Sequence, residues 1–225
     1  MSSDSYIFLG GASRGVGREV AVRLVQRSFR VKALLRSESA KPELEAMGIT
    51  VAMGDALDID AVHRAMCGSS IDTVISTIGG LPKDGQRADY LGNKNLIDAA
   101  VESGARAFIL VSSIGSGMSA KALPPQALET LGSVLAEKEK AEQHLINSGL
   151  AYTIIRPGGL KSEPATGNGV LTENPAVAGT IHRADVAELA CQCLQSERTR
   201  NKILSAVDRQ MVRGERTFEV FHLDS

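Results

Sequence analysis

The chain has 225 residues, with 25 basic against 26 acidic side chains and a formal net charge of −1. That length fits one domain, or two small ones at most, and the even charge excludes the basic surface of a nucleic-acid groove. Five Phe, three Tyr and no Trp are too few rings for a base-stacking platform, and 22 Gly against 7 Pro is a count that the element pattern must explain.

Apolar runs and helical periods alternate along the chain. Tyr6–Leu9 reads as a strand, Gly10–Gly17 as a glycine-rich turn, and Gly17–Arg27 as a helix with Val20, Leu24 and Val25 on one face. A second strand, Val31–Leu35, precedes a short helix over Lys41–Met47. Thr50–Met53 is a third strand, and Asp58 caps a helix that runs to Met66. Thr73–Ser76 is a fourth strand, Tyr90–Ser103 a helix and Ala107–Val111 a fifth strand. A long helix over Gln126–Ser148 leads to a strand at Ala151–Ile155 that ends in Arg156-Pro157-Gly158-Gly159. Residues 160–180 read as a long loop with a hairpin at Val170-Leu171, then a helix over Arg183–Leu194 and terminal strands at Ile203–Val207 and Thr217–Leu223. This order predicts an α/β fold: one doubly wound, Rossmann-type parallel sheet with helices on both faces. No linker divides the chain. Residues 1–225 are therefore read as a single nucleotide-binding domain, with 160–180 and the C-terminal strands as a small substrate or lid region.

No apolar run approaches the roughly 18 residues that cross a bilayer, and a strand beginning at Tyr6 leaves no room for a signal peptide. Cys67, Cys191 and Cys193 fit no zinc spacing, and the last two lie in an apolar helical run as reduced thiols. The expectation is a reducing compartment: the cytoplasm, or a plastid stroma for a chain that has lost a transit peptide.

The chemistry concentrates at strand ends. Gly10-Gly11-Ala12-Ser13-Arg14-Gly15-Val16-Gly17 follows a strand and opens a helix. Glycines there allow a tight turn and let backbone amides, backed by the helix dipole, approach a pyrophosphate. An NAD binder places an acid after the second strand to hold the ribose hydroxyls. Here the segment reads Leu34-Leu35-Arg36-Ser37, so Arg36 and Arg14, with Ser37, suit a 2′-phosphate instead. NADP(H) is the expected cofactor. Asp55 and Ala56 after the third strand are placed near the adenine, and Thr77 and Gly79 after the fourth near the adenosine ribose. Taken alone, Asp55 reads by default as a helix cap.

With these residues in place the chain resembles the short-chain dehydrogenase/reductases. Gly11-x-x-x-Gly15-x-Gly17 matches their glycine signature, Val111-Ser112-Ser113 their serine-bearing strand, and Arg156-Pro157-Gly158-Gly159 the segment that flanks the nicotinamide. Leu135–Leu160, with Ser148–Leu160 inside it, and Arg183-Ala-Asp-Val-Ala are similar to the atypical branch, which holds NmrA-like proteins, biliverdin reductase B and plastid and cyanobacterial NADPH-binding proteins. The resemblance covers nearly the whole chain. It implies that Ser113 and Lys138 are catalytic, that Lys138 reaches the nicotinamide ribose, and that Ser112, Pro157, Gly158 and Gly159 border the nicotinamide. The family's Tyr-x-x-x-Lys pair is incomplete, because Val134 stands where the tyrosine belongs.

Lys138 falls in a helical stripe with Leu131, Val134, Ala141 and Leu145, so it needs either a partner or a path to water. Ser112 and Ser113 read alternatively as backbone caps after a strand. Tyr152 reads as packing, His182 as a proton donor or a helix-flanking residue, and Asp185 as a first-turn acid that satisfies local amides. His63, His144 and His222 share no ligand spacing, and no metal is expected. Arg87, Lys121 and the 160–180 loop are placed around an acceptor cleft. Two readings follow. One is a reductase passing hydride from NADPH to a flavin, quinone or tetrapyrrole-like molecule whose proton comes from solvent. The other is a non-catalytic NADP(H) sensor acting through a partner protein. A monomer is the default.

Overall fold

Strands buried on both faces order the molecule. The computed structural model describes residues 5–80, 86–214 and 217–224. In chain order the elements are β1 (Tyr6–Gly10), α1 (Gly15–Gln26), β2 (Val31–Leu35), α2 (Lys41–Ala46), β3 (Thr50–Met53), α3 (Ile59–Met66) and β4 (Ile71–Ser76). They continue with α4 (Leu91–Glu102), β5 (Ala107–Val111), α5 (Pro125–Ile146), β6 (Ala151–Pro157), β7 (Gly159–Lys161), β8 (Gly169–Thr172), β9 (Ala178–His182), α6 (Arg183–Gln195), β10 (Lys202–Asp208) and β11 (Val212–Arg213).

The main sheet has eight strands in the order β3-β2-β1-β4-β5-β6-β10-β8, parallel except for β8, which runs against β10. Side chains alternate across it. Ile7 and Leu9 of β1 join Val20 and Leu24 of α1 and Val186 and Leu189 of α6. Phe8 points the other way, into a cluster with Val62 of α3, Leu96 of α4, Phe108 of β5 and Leu145 of α5. Two apolar layers therefore cover one parallel sheet, the Rossmann arrangement. Strand order reverses between β1 and β4, and the crevice beyond their carboxyl ends is where an open α/β sheet takes its ligand.

The second half departs from the expected pattern in three places. Residues 160–180 are not one loop with a hairpin. They hold the end of β7, all of β8 and part of β9, and Val170 and Leu171 pair with Val207 and Ala206 of β10. Strands β7, β9 and β11 form a second small sheet, in which Gly158 has no Cβ to collide with the Gly179 carbonyl. Residues 217–223 form no terminal strand; Phe221 makes a single bridge to Leu171. The stretch is tied to β8 at two points instead: Phe221 N–H donates to Leu171 O, and Glu219 O accepts from Thr172 Oγ1. Leu131 is also outside the core, 43% exposed, and the buried residues of α5 begin at Leu135 and include Ala141 and Leu145.

No helix among the described residues is long and apolar enough to cross a membrane. The three cysteines are free, with Cys67 exposed and the other two buried. Burial pushes the Cys191 thiol up to about 11 and the Cys193 thiol up to about 12. A thiol-reactive chromophore at pH 8 should therefore label one cysteine of the folded protein quickly and all three only on unfolding. Phe108→Ala empties a fully buried site between β5 and the α4–α5 layer, and should cost about 3–5 kcal/mol in urea unfolding.

Candidate functional site

The β1–α1 turn is built by close approach. A Cβ on Gly17 would strike the Gly11 carbonyl oxygen and the Thr77 hydroxyl, and a Cβ on Gly11 would lie 2.5 Å from Thr77 Oγ1. Thr77 fills the space between the two glycines. Its N–H and Oγ1 donate to Gly10 O at 3.0 and 3.1 Å, fastening the end of β4 to the end of β1. Thr77 thus sits behind the turn, where it sets the turn's shape. Gly15, with φ +58°, starts α1 in a conformation that L side chains rarely adopt. Ser13, Arg14 and Gly15 are exposed at the rim, while Val16 and Gly17 are buried. The α1 N-terminus has no side-chain cap and no acid in its first turn, so its amides are free to meet an anion.

The adenosine side is open and basic. Arg36 is 53% exposed, and its closest acid is Asp55, 3.9 Å from Nη1. Asp55 Oδ1 accepts from Leu57 N at 3.0 Å in a local turn, so Asp55 does not cap α3; Asp58 does, accepting from Asp60 N and Ala61 N. Ser37 Oγ lies 3.1 Å from Ser39 Oγ. Ala56 is fixed through its carbonyl, which accepts from Asn95 Nδ2 at 2.8 Å.

Across the crevice, Lys138 Nζ lies 3.1 Å from Asp89 Oδ1, and both press on Gly79: a Cβ there would stand 3.0 Å from Nζ and 2.7 Å from the carboxylate. Asp89 is fully buried and also faces Arg87, whose Nε and Nη2 are each 3.1 Å from Oδ2. Asn93 completes the node, accepting from Ser76 Oγ at 2.5 Å and donating to Asp89 O at 2.7 Å. Lys138 therefore belongs to an ordered network at the end of β4. Arg87 serves this buried node. Asp89 and Asn93 were missed in the sequence. Their signal was two polar residues four apart on the face of a helix start that packs inward.

The β5 and β6 ends carry the remaining residues. Ser112 Oγ and Ser116 Oγ are buried with no hydrogen-bond partner among the described residues. Ser113 Oγ donates to Ile114 O at 2.9 Å. Pro157 O accepts from Ile114 N at 2.9 Å, Gly158 N donates to Ala206 O of β10 in the main sheet, and exposed Gly159 begins β7 of the small sheet. Arg156 makes a buried two-point pair with Glu142, at 3.1 and 2.5 Å, which docks α5 against β6.

His182, the N-cap residue of α6, is buried. Its Nδ1 is 3.7 Å from Asp185 Oδ2. Asp185 does not serve its own helix. It accepts from Thr166 N and Gly167 N, both at 2.9 Å, while Thr166 Oγ1 donates to Asp208 at 2.5 Å. His182, Asp185 and Asp208 bring potential ligand atoms within 4.8 Å of one another, but the carboxylate oxygens are engaged, those of Asp185 with residues 166 and 167 and those of Asp208 with Thr166 and Gln210 N. His63 pairs with Glu102 and His144 with Asp98, in separate parts of the fold.

The comparisons agree with this geometry. A family model described as NAD(P)H-binding matches residues 11–197. Sanguinarine reductase of Eschscholzia californica is 31% identical, over 94% of this chain and 92% of its own. The chloroplastic protein TIC 62 of Pisum sativum is 32% identical over 83% of this chain, which spans 39% of TIC 62. Among solved structures, ChuY of Escherichia coli O157:H7, described as an anaerobillin reductase, superposes with a TM-score of 0.83 at 32% identity, covering 91% of this chain and 97% of that one. The site defines a Rossmann-type NAD(P)-binding protein. The chain belongs to this NAD(P)H-binding family, within the atypical short-chain dehydrogenase/reductases.

Gly17→Ala should abolish nucleotide binding, measured by titration with NADPH, because the methyl group cannot be placed without moving α1 off β1. Asp89→Ala should destabilise the fold by about 3–5 kcal/mol, since it strands two cations at a buried position. Lys138→Ala should cost less, because Arg87 still faces Asp89; urea titration of both variants checks the order.

Proposed function

We propose that the protein is an NADPH-dependent reductase that delivers a hydride to a conjugated small molecule of the flavin, quinone or tetrapyrrole-like kind. The observation that carries the reading is the Lys138–Asp89 pair lodged against Gly79 at the β4 end, one helical turn after Val134. Lys138 matches the ribose-holding half of the family's catalytic pair, and Val134 stands where its proton-donating half belongs.

NADPH, when bound, supplies the hydride. The chain supplies position and charge. The glycine turn and the α1 amides take the pyrophosphate. Arg36, Arg14 and Ser37 take the 2′-phosphate, and Asp55 Oδ2 is open to the adenine amine. Lys138 donates to the nicotinamide ribose hydroxyls. Ser112, with its unpartnered hydroxyl, and Pro157-Gly158-Gly159 border the nicotinamide, and Ser113 orients the acceptor. Val134 cannot donate a proton, so the acceptor is one that spreads the incoming charge over a conjugated system and takes its proton from water. Met118, 76% exposed, and Leu160, 40% exposed, follow β5 and β6 and offer apolar contact to a flat ring system. Two similar proteins are named as reductases. The reading places the protein in a reducing compartment, cytoplasm or plastid stroma. The similar TIC 62 is described as chloroplastic.

A second reading, a non-catalytic NADP(H)-binding protein that acts through a partner, is favoured by Val134. A panel of flavin, quinone, biliverdin and aldehyde acceptors separates the two, followed by loss of reduced-nicotinamide absorbance. The reductase reading expects turnover of a conjugated acceptor and none of a simple aldehyde. Tight NADPH binding without turnover of any acceptor would overturn it in favour of the second. Arg36→Ala should reduce the preference for NADPH over NADH by about tenfold or more, the worth of one charge-assisted phosphate contact.

A further inference from the structure

Arg183 opens α6, yet its side chain lies across the start of α1. Its Nε and Cδ stand 3.7 and 3.8 Å from the point where a Cβ on Gly15 would lie. Its Nη1 donates to Ser162 Oγ at 2.7 Å and approaches Leu160 O at 3.5 Å. The Nε and Nη2 hydrogens have no acceptor among the described residues, and no carboxylate there pairs with the guanidinium. Arg14 likewise has no ion pair among the described residues, whereas Arg18 pairs with Glu43, Arg23 with Glu19 and Glu188, and Arg27 with Glu188. An unpaired guanidinium is thus held against a helix N-terminus, two positive features side by side, which is unfavourable until an anion lies between them. A cleft of about 580 Å³ opens at this point, lined by Gly15, Arg18, Ser162 and Arg183 and also by Glu19 and Glu163, among others.

The same first turn of α6 holds both ends of the exposed strap that follows β7. Arg183 ties residues 160 and 162, and Asp185 ties 166 and 167. We propose that Arg183 is a pyrophosphate ligand of the cofactor that simultaneously latches residues 160–167, so that cofactor binding and strap ordering are one coupled event. A guanidinium has donors for both tasks: Nη1 holds the strap, while Nε and Nη2 face the anion. The inference rests on the dinucleotide reading of the site and assigns the strap to it as a closing element.

The test uses Arg183→Gln, which can still bond to Ser162 but carries no charge, with Arg36→Ala alongside. NADPH, NADH and adenosine 2′-monophosphate are titrated, and trypsin cleavage after exposed Lys161 is followed with and without NADPH. Arg183→Gln should weaken NADPH and NADH by the same factor, about tenfold or more, and leave adenosine 2′-monophosphate unchanged. Arg36→Ala should weaken NADPH and the monophosphate but not NADH. Saturating NADPH should protect the Lys161–Ser162 bond in the wild type and fail to do so in Arg183→Gln. Ser162→Ala, which keeps the charge, should lose most of the protection with less than about a threefold change in NADPH affinity, the worth of a modest neutral hydrogen bond. Unchanged dinucleotide affinity in Arg183→Gln would overturn the proposal, and so would an equal loss for the monophosphate, which marks a damaged fold. A wild type that binds no dinucleotide would overturn the cofactor reading and this inference with it, a result distinct from one in which only the Arg183 variant behaves normally.

Discussion

The close approach of Gly17 to Gly11 and Thr77 sets the geometry on which the site depends. With no side chain between them, α1 begins directly against the end of β1, and its uncapped amides point over the crevice beside β4. Thr77 is the third member of that contact. By donating to Gly10 it holds β4 in register with β1 where strand order reverses. The crevice, its anion-attracting end and its two flanking strands thus come from one packing constraint at the centre of the sheet.

A second constraint lies on the far side of the crevice. Asp89 is a fully buried carboxylate facing two cations, and it draws Lys138 from α5 and Arg87 from the preceding loop to one point beneath Gly79. A buried acid is costly unless paired and hydrogen-bonded, so this node specifies how α4 and α5 sit at the end of β4. The Arg156–Glu142 pair does the same for α5 and β6. Together they hold the lysine in place although the tyrosine that accompanies it in the family is a valine. The C-terminal part of the molecule is organised around the first turn of α6, whose Arg183 and Asp185 hold the strap.

The parallel sheet and its helices were legible because apolar strands and amphipathic helices have distinct periods, and because β1, β2, β4 and β5 are buried nearly end to end. The glycine turn was legible for the same reason: only glycines fit there. What could not be read were features made by long-range contact. Thr77 stands out only as a residue at the β4 end, and nothing local shows that its hydroxyl bonds to carbonyls some 66 and 67 positions away in sequence. Asp185 looked like a helix-dipole acid, but its acceptors serve the strap. The strands within 160–180 are short and show no alternation of buried and exposed residues, and their pairing with β10 and within the small sheet carries no local signature. Residues 217–223 have strand-like composition, yet only Phe221 finds a strand to bridge. Arg183 sits in a recognisable Arg-Ala-Asp-Val-Ala stretch, but nothing in the sequence says that its side chain crosses to Gly15.

The central claim is that this crevice brings a hydride donor and a conjugated acceptor together without a side-chain proton donor. It is tested most directly by following isotope from NADPH deuterated at the transferring position of C4. In turnover of a quinone, flavin or tetrapyrrole acceptor, the account predicts one deuterium passed directly from the cofactor, with a primary isotope effect on its oxidation and the accompanying proton drawn from water. Cofactor oxidation that shows no such isotope effect, or a proton step that tracks a single protein side chain, would contradict it.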